Sequence, residues 1–300
     1  MCGMRSSGVL KLKLFLIVFV CLLLTVNAFS VKFYSVNSLY GTSLRNASSV
    51  CSDNKGFIWA SSGVGILRVT EDDCRIYQLP YENNNVISVD LIFECSKLVA
   101  YSNNGQIFLY NPILDRFELL VNLGEVLSNR YLTIHGVLID ESGGYWIATT
   151  TGIYKYQSGH LSLVFDIFDE NEAIARIDDQ HVFIGKNDGI WKIDLQSLKK
   201  TCIYSNQSES PLWVSKLYFD KGENKILVGT ISSGLYAFDL DSKIFTPLQA
   251  SLFPKQPILA IEKNSESTYL IGIDGQGLWE LSLDGNHVLN VYKENVDDPN

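Results

Sequence analysis

The sequence predicts an all-β fold, a β-propeller of four-stranded antiparallel blades. One short sequence motif recurs six times between Cys51 and Leu281: an apolar strand, a polar turn, a second apolar strand, a glycine-bearing turn and a third strand. The glycines of the second turn lie 40, 47, 37, 45 and 43 residues apart, at positions 65, 105, 152, 189, 234 and 277. A drifting period of this length, with several strands per repeat, is typical of propeller blades. No stretch shows sustained helical periodicity, and residues 122–129 predict at most a short helical turn.

The first blade illustrates the strand order. Strand A is predicted over 48–52, strand B over 57–61, strand C over 65–69 and strand D over 75–79, because β-branched and aromatic residues alternate there with polar ones. Gly, Asn, Asp and Ser occupy the turns between these strands, where their backbone preferences suit turn geometry. By the same pattern the six predicted blades span 48–80, 86–121, 132–166, 173–204, 213–248 and 257–292.

A strand that belongs to no complete blade precedes the first repeat. Residues 31–36, Val-Lys-Phe-Tyr-Ser-Val, match the predicted D strand of blade 1. Propellers often close by letting one terminus add a strand to a blade built from the other terminus, which protects the exposed edges. Blade 6 already has its own D strand at 288–292, so 31–36 is predicted to be the closing strand of a seventh blade. The sequence therefore predicts that the chain is an N-terminal piece of a longer protein.

The first 28 residues are predicted to be a secretory signal peptide, which leaves 29–300 for the propeller. Arg5, Lys11 and Lys13 precede an apolar run over 14–24. An uncleaved membrane anchor is the alternative, although the run is shorter than the ~20 residues of a spanning helix. Without this segment the chain has 21 Lys and Arg against 33 Asp and Glu, a net charge of −12. Nucleic acid and anionic membranes are poor partners for such a surface.

The recurring Asp, Gly and Trp residues are predicted to build the blades. In the two clearest copies the aspartate stands three residues before a glycine and six before a tryptophan: Asp53, Gly56, Trp59 and Asp140, Gly143, Trp146. The aspartate is expected to accept backbone N–H bonds in its turn, the glycine to adopt a positive φ, and the tryptophan to fill the space between blades. Trp191 and Trp279 receive the same interpretation, whereas Trp213 precedes an A strand and is expected nearer a face of the disc.

No catalytic or metal-binding set is recognisable in the sequence. The four histidines fall at unrelated repeat positions, and no HExxH, GxSxG or CxxC motif occurs. Four cysteines follow the signal segment, and they are interpreted as buried free thiols: Cys51, Cys74, Cys95 and Cys202. Cys74 and Cys202 lie three repeats apart, beyond disulfide reach in a propeller. We therefore expect no enzyme activity, no metal and no cofactor.

A ligand of a propeller is expected where the B-to-C and D-to-A turns converge around the axis. The B-to-C turns contain amides, hydroxyls and a few charges, and the candidate ligand-binding residues are Asn103, Asn104, Lys186, Asp188, Asp274 and Gln276. Such groups suit a neutral or weakly charged polyhydroxy ligand. The simpler alternative is that these turns are polar only because they face water.

The repeated motif resembles that of a known family, the two-component regulator propeller repeats. The shared pattern is Asp-x-x-Gly-x-x-Trp-x-x-(Ser/Thr) followed by Gly-Ile or Gly-Leu, after a signal peptide and an opening Phe-Tyr-Ser-Val. The resemblance extends over 31–300 and is strongest in blades 1 and 3. Blade 2 lacks both the aspartate and the tryptophan, and blade 4 lacks the aspartate. Repeats of this family form the periplasmic sensor region of hybrid two-component systems that control polysaccharide utilisation.

The resemblance implies a sensor that is exported to the periplasm and anchored in the inner membrane. Such a sensor would bind an oligosaccharide and shift a homodimer between signalling states. Its partners would include the remaining domains of the same longer chain: a second seven-bladed propeller, an immunoglobulin-like domain, a membrane helix, a histidine kinase, a receiver and a DNA-binding region. Two other classes stay open. A propeller glycosidase or lyase would need acid and base side chains around the axis, and a protein-interaction scaffold would expose an apolar patch on one face.

Overall fold

The computed structural model describes residues 47–70, 73–82, 88–129, 131–166, 171–208, 210–248, 254–264 and 267–293. The predicted signal peptide, 1–28, and the predicted closing strand, 31–36, lie outside these residues. The described residues form 24 strands, which are arranged as six four-stranded antiparallel sheets, each a meander in chain order. The predicted all-β propeller with six four-stranded blades is therefore confirmed.

The first three blades contain strands β1 to β12. Blade 1 consists of β1 (Ser49–Ser52), β2 (Ile58–Ser62), β3 (Gly65–Val69) and β4 (Cys74–Tyr77). Blade 2 consists of β5 (Val89–Glu94), β6 (Lys97–Ser102), β7 (Gln106–Asn111) and β8 (Arg116–Asn122). Blade 3 consists of β9 (Ile134–Ile139), β10 (Tyr145–Thr149), β11 (Gly152–Gln157) and β12 (His160–Asp166). Between blades 2 and 3 lies one helical turn, α1 (Leu123–Val126), which the sequence predicted within 122–129.

The last three blades contain strands β13 to β24. Blade 4 consists of β13 (Asn171–Arg176), β14 (His181–Lys186), β15 (Gly189–Asp194) and β16 (Lys200–Ser205). Blade 5 consists of β17 (Val214–Asp220), β18 (Lys225–Thr230), β19 (Leu235–Asp239) and β20 (Phe245–Pro247). Blade 6 consists of β21 (Ile258–Lys263), β22 (Thr268–Ile273), β23 (Gly277–Ser282) and β24 (Val288–Tyr292). In each blade the four strands occupy positions A to D.

Each pair of consecutive blades shares a hydrophobic core. Trp59 of blade 1, for example, is buried against Phe108 and Phe117 of blade 2, and Trp146 of blade 3 against Val182 and Ile184 of blade 4. Five such clusters join blades 1 to 6 in succession. Burying a side chain of this size contributes about 1.5–3 kcal/mol, so these clusters supply most of the stability of the ring.

The face of blade 1 that points away from blade 2 carries apolar side chains. Val50, Ile58 and Ile76 lie on it and are 62%, 42% and 42% exposed. Among the described residues, no cluster like the other five joins blade 6 to blade 1. The seventh blade stays a prediction.

The glycine that opens strand C recurs because a side chain does not fit there. At Gly152 φ is +148°, and a β-carbon would lie 2.5 Å from the carbonyl oxygen of Phe165 on the neighbouring D strand. At Gly65 the same distance to the Tyr77 carbonyl oxygen is 2.5 Å. The repeat glycine therefore allows strands C and D to approach closely where each blade begins its outer hairpin.

The A strands line the axis of the ring. Consecutive A strands contact each other, from β1 and β5 through to β17 and β21. Side-chain hydrogen bonds connect some of them, because Ser49 Oγ accepts from the amide of Leu91 and Ser215 Oγ donates to the carbonyl oxygen of Ile258. Polar side chains on A strands are therefore brought close to the axis.

Candidate ligand-binding face

The turn face is the side of the ring formed by the B-to-C turns and the D-to-A connections. One backbone hydrogen bond recurs on it, from an amide of the B-to-C turn to the carbonyl oxygen of the residue just before strand A. The four pairs, at 2.9–3.1 Å, are Asn103 with Ser88, Thr150 with Thr133, Ile231 with Trp213, and Asp274 with Pro257. This bond holds the two segments side by side, so their side chains share one surface.

Two candidate residues of blade 2 bond to their own surroundings on the turn face. The side-chain oxygen of Asn103 accepts from the amide of Ser88 at 3.1 Å. The side-chain oxygen of Asn104 accepts from Ser102 Oγ at 2.5 Å and from Gln106 Nε2 at 3.2 Å. These bonds fix the shape of the turn, and a ligand would meet a preformed surface here.

The two candidates of blade 4 are grouped around Trp191. Lys186 is 8% exposed, and its Nζ lies 3.6 Å from Asp188 Oδ2 and 5.8 Å from the centre of the indole ring. Asp188 is exposed, and its Oδ1 accepts from Trp191 Nε1 at 3.1 Å. The acid and the base thus partly balance each other's charge.

The candidates of blade 6 differ in their surroundings. Asp274 is exposed, and its amide makes the recurring bond to Pro257. The side-chain oxygen of Gln276 accepts from Lys293 Nζ at 2.9 Å, and its main-chain oxygen accepts from Trp279 Nε1 at 3.1 Å. The six candidates therefore lie in pairs on three separate blades, and their role in binding stays a prediction.

The opposite face carries the A-to-B turns and the repeated aspartates. Asp53 Oδ1 accepts from the amides of Lys55 and Phe57 at 2.9 and 3.0 Å, and its Oδ2 accepts from Trp59 Nε1 at 2.9 Å. Gly56, in the same turn, has φ +79°. The indole bond was missed by the sequence reasoning, although the six-residue spacing from aspartate to tryptophan was the signal for it.

Asp140 makes the same contacts in a more enclosed site. Its Oδ1 accepts from the amide of Gly144 at 2.7 Å, and its Oδ2 accepts from Trp146 Nε1 and Lys155 Nζ, both at 3.0 Å. Burial by itself would raise the pKa of Asp140, but hydrogen bonds from Ser142, Lys155, Trp146 and Gly144 outweigh it and lower the pKa to about 2. Gly143 has φ +80° and completes the turn.

Other blades hold this turn in different ways. Blade 2 uses a two-residue turn with positive φ at both Cys95 and Ser96, as in a type I′ hairpin. In blade 4, Asp178 Oδ1 accepts from the amide of Gln180 at 2.8 Å, one residue later than the repeat position. The turn of blade 4 is thus held differently, as its missing aspartate implied.

Asp220 of blade 5 takes the repeat position but bonds to the next blade. It is 3% exposed, and its Oδ2 accepts from Lys263 Nζ at 2.8 Å and from the Tyr269 hydroxyl at 2.5 Å. The sequence reasoning did not identify Asp220, because no tryptophan follows it six residues later. Its place at the end of an A strand was the available signal.

Charged side chains of opposite sign lie on the A strands near the axis. Burial raises the pKa of Asp90 on β5, and the charge of Lys216 on β17 opposes this shift. Blades 3 and 4 separate these strands along the ring, so the two charges act on each other across the axis. Near the other end of the A strands, Glu94 Oε2 accepts from the amide of Ile139 at 2.8 Å and from Arg176 at 3.0 Å, which ties three blades together.

Trp213 lies on the turn face, in the connection before β17. It is 38% exposed and has φ +49°, the left-handed region that bulky residues rarely adopt. The expectation that it lies nearer a face than the other tryptophans agrees with this position.

The four described cysteines are all free, but the prediction that they are buried is wrong. Cys95 and Cys202 are exposed, while Cys51 and Cys74 are half-buried. Cys95 occupies the tip of a two-residue turn, where side chains point to solvent. Among the described residues, no group of three or more His, Cys, Asp or Glu side chains is arranged to hold a metal ion. No helix in this part of the chain is both long and apolar enough to span a membrane.

The fold is similar to that of several solved extracellular domains assigned to two-component or one-component systems. One similar structure is the extracellular domain of BT3049 from B. thetaiotaomicron, assigned to a hybrid two-component system, with a TM-score of 0.63 and 16% identity over 84% of this chain and 36% of that one. Two structures of the extracellular domain of BT4673 from the same organism, assigned to a one-component and to a hybrid two-component system, give TM-scores of 0.68 and 0.67. Both are 21% identical to this chain and match 86% of it and 35% of the BT4673 domain.

These similarities establish the fold and not the function. The chain spans about a third of the length of the two natural extracellular domains. The computationally designed Ika8 protein also shares the fold, with a TM-score of 0.55 and 11% identity over 84% of this chain and 88% of that one. A fold shared with a designed protein does not select a function by itself. No protein-family model and no curated protein matches the sequence.

Proposed function

We propose that this chain is the exported propeller of a two-component sensor and that it binds an oligosaccharide at the turn face. The similarity of its fold, over 84–86% of the chain, to extracellular domains assigned to such systems carries the proposal. The predicted signal peptide over 1–28 agrees with export. A signal peptide would direct the propeller to the periplasm, where an oligosaccharide from outside the cell could bind to it.

The chemistry of the turn face supports a neutral polyhydroxy ligand. Asn103, Asn104 and Gln276 present amides, which both donate to and accept from sugar hydroxyls. Lys186 and Asp188 lie 3.6 Å apart and partly cancel in charge. The axis carries a similar opposition between Asp90 and Lys216. An anionic ligand would find no excess of positive charge among the six candidate residues.

The signal would pass from the propeller to the other domains of a longer chain. Five buried cores join the blades, so the ring is suited to move as one body. A ligand changes the balance between two states of a membrane-anchored homodimer only if it binds one state more tightly. In this proposal the histidine kinase lies beyond residue 300 and the propeller contributes recognition.

Calorimetric titration of the purified full chain tests the proposal. The panel contains linear gluco-, xylo-, manno-, fructo- and galacturono-oligosaccharides. We expect one neutral class to bind and the galacturonates to bind less well. Absence of binding across the panel would count against sugar recognition and favour a protein-interaction scaffold. A fusion of residues 1–40 to alkaline phosphatase tests export separately, because this enzyme is active only after it leaves the cytoplasm.

A propeller glycosidase or lyase is the alternative that one observation favours. Asp90 lies on an innermost strand, and its pKa is raised by burial, as a general acid requires. The titrated mixtures would be examined for new reducing ends and for unsaturated products. Product formation that Asp90→Asn abolishes would replace the sensor proposal with an enzyme.

A further inference from the structure

Trp213 departs from the pattern of its own repeat position. The residue whose carbonyl oxygen accepts the recurring turn-face bond is Ser88 in blade 2, Thr133 in blade 3 and Pro257 in blade 6. In blade 5 it is Trp213, and of these four residues Trp213 alone has a positive φ. Three blades form the same bond with a small residue in ordinary backbone geometry, so blade architecture does not require the indole.

Two hydrogen bonds hold the backbone of Trp213 in this conformation. The amide of Leu212, which is 7% exposed, donates to the carbonyl oxygen of Asn187 in the B-to-C turn of blade 4 at 3.1 Å. The carbonyl oxygen of Trp213 accepts from the amide of Ile231 in the B-to-C turn of blade 5 at 2.9 Å. The segment thus bridges the turns of two blades. Strained backbone that is fixed from both sides is typical of positions where a side chain must point in a particular direction.

The surroundings of the indole combine apolar and hydroxyl groups. Ile231 is 41% exposed and lies beside Trp213 through the shared hydrogen bond. Ser210, three residues before Trp213, and Ser232, next to Ile231, are exposed. Lys216 is exposed three residues further on, where β17 enters the wall of the axis. An exposed indole with exposed serines in the neighbouring segments suits a ring with an apolar face and polar edges.

We propose that Trp213 is the stacking platform for one sugar ring of the ligand, at the junction of blades 4 and 5. This inference rests on the proposed function and specifies the site and the kind of sugar. The ring is a pyranose that presents several axial C–H bonds on one face, because these bonds form an apolar surface against which the indole can stack. The neighbouring hydroxyls and the amide-bearing turns then contact its equatorial hydroxyl groups.

The test uses the oligosaccharide of the panel that binds the wild-type full chain most tightly. We expect Trp213→Ala and Trp213→Gly to weaken the affinity for this oligosaccharide roughly tenfold or more, because an aromatic side chain that the ligand covers dominates binding to a small site. Trp213→Phe keeps a flat ring, so the logarithm of its affinity should fall by less than half as much as that of Trp213→Ala. Thr133→Ala, at the same repeat position of blade 3, is the matched control and should leave the affinity within twofold.

A second measurement follows the exposure of the indole and not the affinity. Trp59 and Trp146 are almost fully buried and Trp191 and Trp279 are half-buried, whereas Trp213 is exposed to a quencher in water. Bound oligosaccharide should therefore reduce acrylamide quenching of the wild-type fluorescence, and this protection should be absent in Trp213→Phe. Wild-type affinity in Trp213→Ala, or unchanged quenching on binding, would overturn the platform while leaving the proposed function intact. Failure of every panel member to bind the wild type would overturn both.

Discussion

The two faces of the ring use their conspicuous side chains differently. On the face of the A-to-B turns, Asp53, Asp140 and Asp220 each accept several hydrogen bonds from their own turn or from the next blade. On the turn face, Trp213 is 38% exposed and occupies a position that other blades fill with serine, threonine or proline. The aspartates of the first face stabilise the structure of the blades. Trp213 on the second face is not required for that structure.

In a repeat protein each blade serves as a control for the others. A residue that recurs at one position in several blades with the same partners is explained by architecture. A residue that departs from its position without a compensating contact points to another role. The repeated Asp and Trp residues are conspicuous in the sequence, yet they say the least about what the protein binds.

Among the aspartate substitutions, the largest expected effect is loss of the Asp140 carboxylate. Asp140→Asn leaves Lys155 without its charged partner and weakens the acceptor for Trp146 and Gly144 in a buried site. We expect the free energy of unfolding to fall by about 3 kcal/mol, since breaking a buried ion pair costs more than breaking an exposed one. Urea denaturation of the full chain measures this change.

Glu141→Gln is the matched control for Asp140→Asn. Glu141 is the next residue of the same turn, and it is exposed. The control removes an equal charge and should change the free energy of unfolding by less than about 0.5 kcal/mol. Equal losses in the two variants would mean that net charge, and not the bonding of Asp140, sets the stability of this face.

The sequence predicted the fold well because its repeats are set by local requirements. In blade 3, the Phe165 carbonyl oxygen leaves no room for a side chain at the glycine that starts strand C. The spacing of Asp140 and Trp146 is set by a hydrogen bond between their side chains. The side-chain partners of Asp220 come from blade 6, and the segment of Leu212 and Trp213 bonds to the turns of blades 4 and 5. Contacts between distant segments leave no fixed spacing, so the aspartate was missed and Trp213 was only placed near a face.

The pH dependence of stability provides a second test of the Asp140 site. Its pKa of about 2 in the folded state is below the ordinary value, so the folded state favours the charged form. The resulting stabilisation, about 2 kcal/mol, is complete above pH ~5 and is lost progressively as the pH falls through ~2. Wild type and Asp140→Asn should therefore differ most at pH 5–7 and approach each other as the pH falls to ~2, as measured by urea denaturation at each pH. A constant difference across this range would contradict the ionised carboxylate.

Asp53→Asn is expected to cost less than Asp140→Asn. Asp53 accepts the same indole and amide bonds, but the only ion pair found at either aspartate among the described residues is that of Asp140 with Lys155. We expect a loss of about 1 kcal/mol, typical of hydrogen bonds at a partly exposed site. Thermal unfolding followed by circular dichroism measures both variants. A loss as large as that of Asp140→Asn would show that the indole bond, common to both turns, dominates.

The smallest effect is expected for Trp213→Gly on the turn face. Glycine adopts a positive φ without strain, and the relief of about 1 kcal/mol offsets part of the stabilisation that the packed side of the indole provides. The free energy of unfolding should change by less than about 1 kcal/mol, whereas Trp146→Ala, which empties a buried space between blades 3 and 4, should cost about 3–5 kcal/mol. Urea denaturation of both variants under one condition compares them directly. A loss for Trp213→Gly as large as that for Trp146→Ala would place Trp213 among the residues that build the ring, and the contrast between the two faces would then no longer hold.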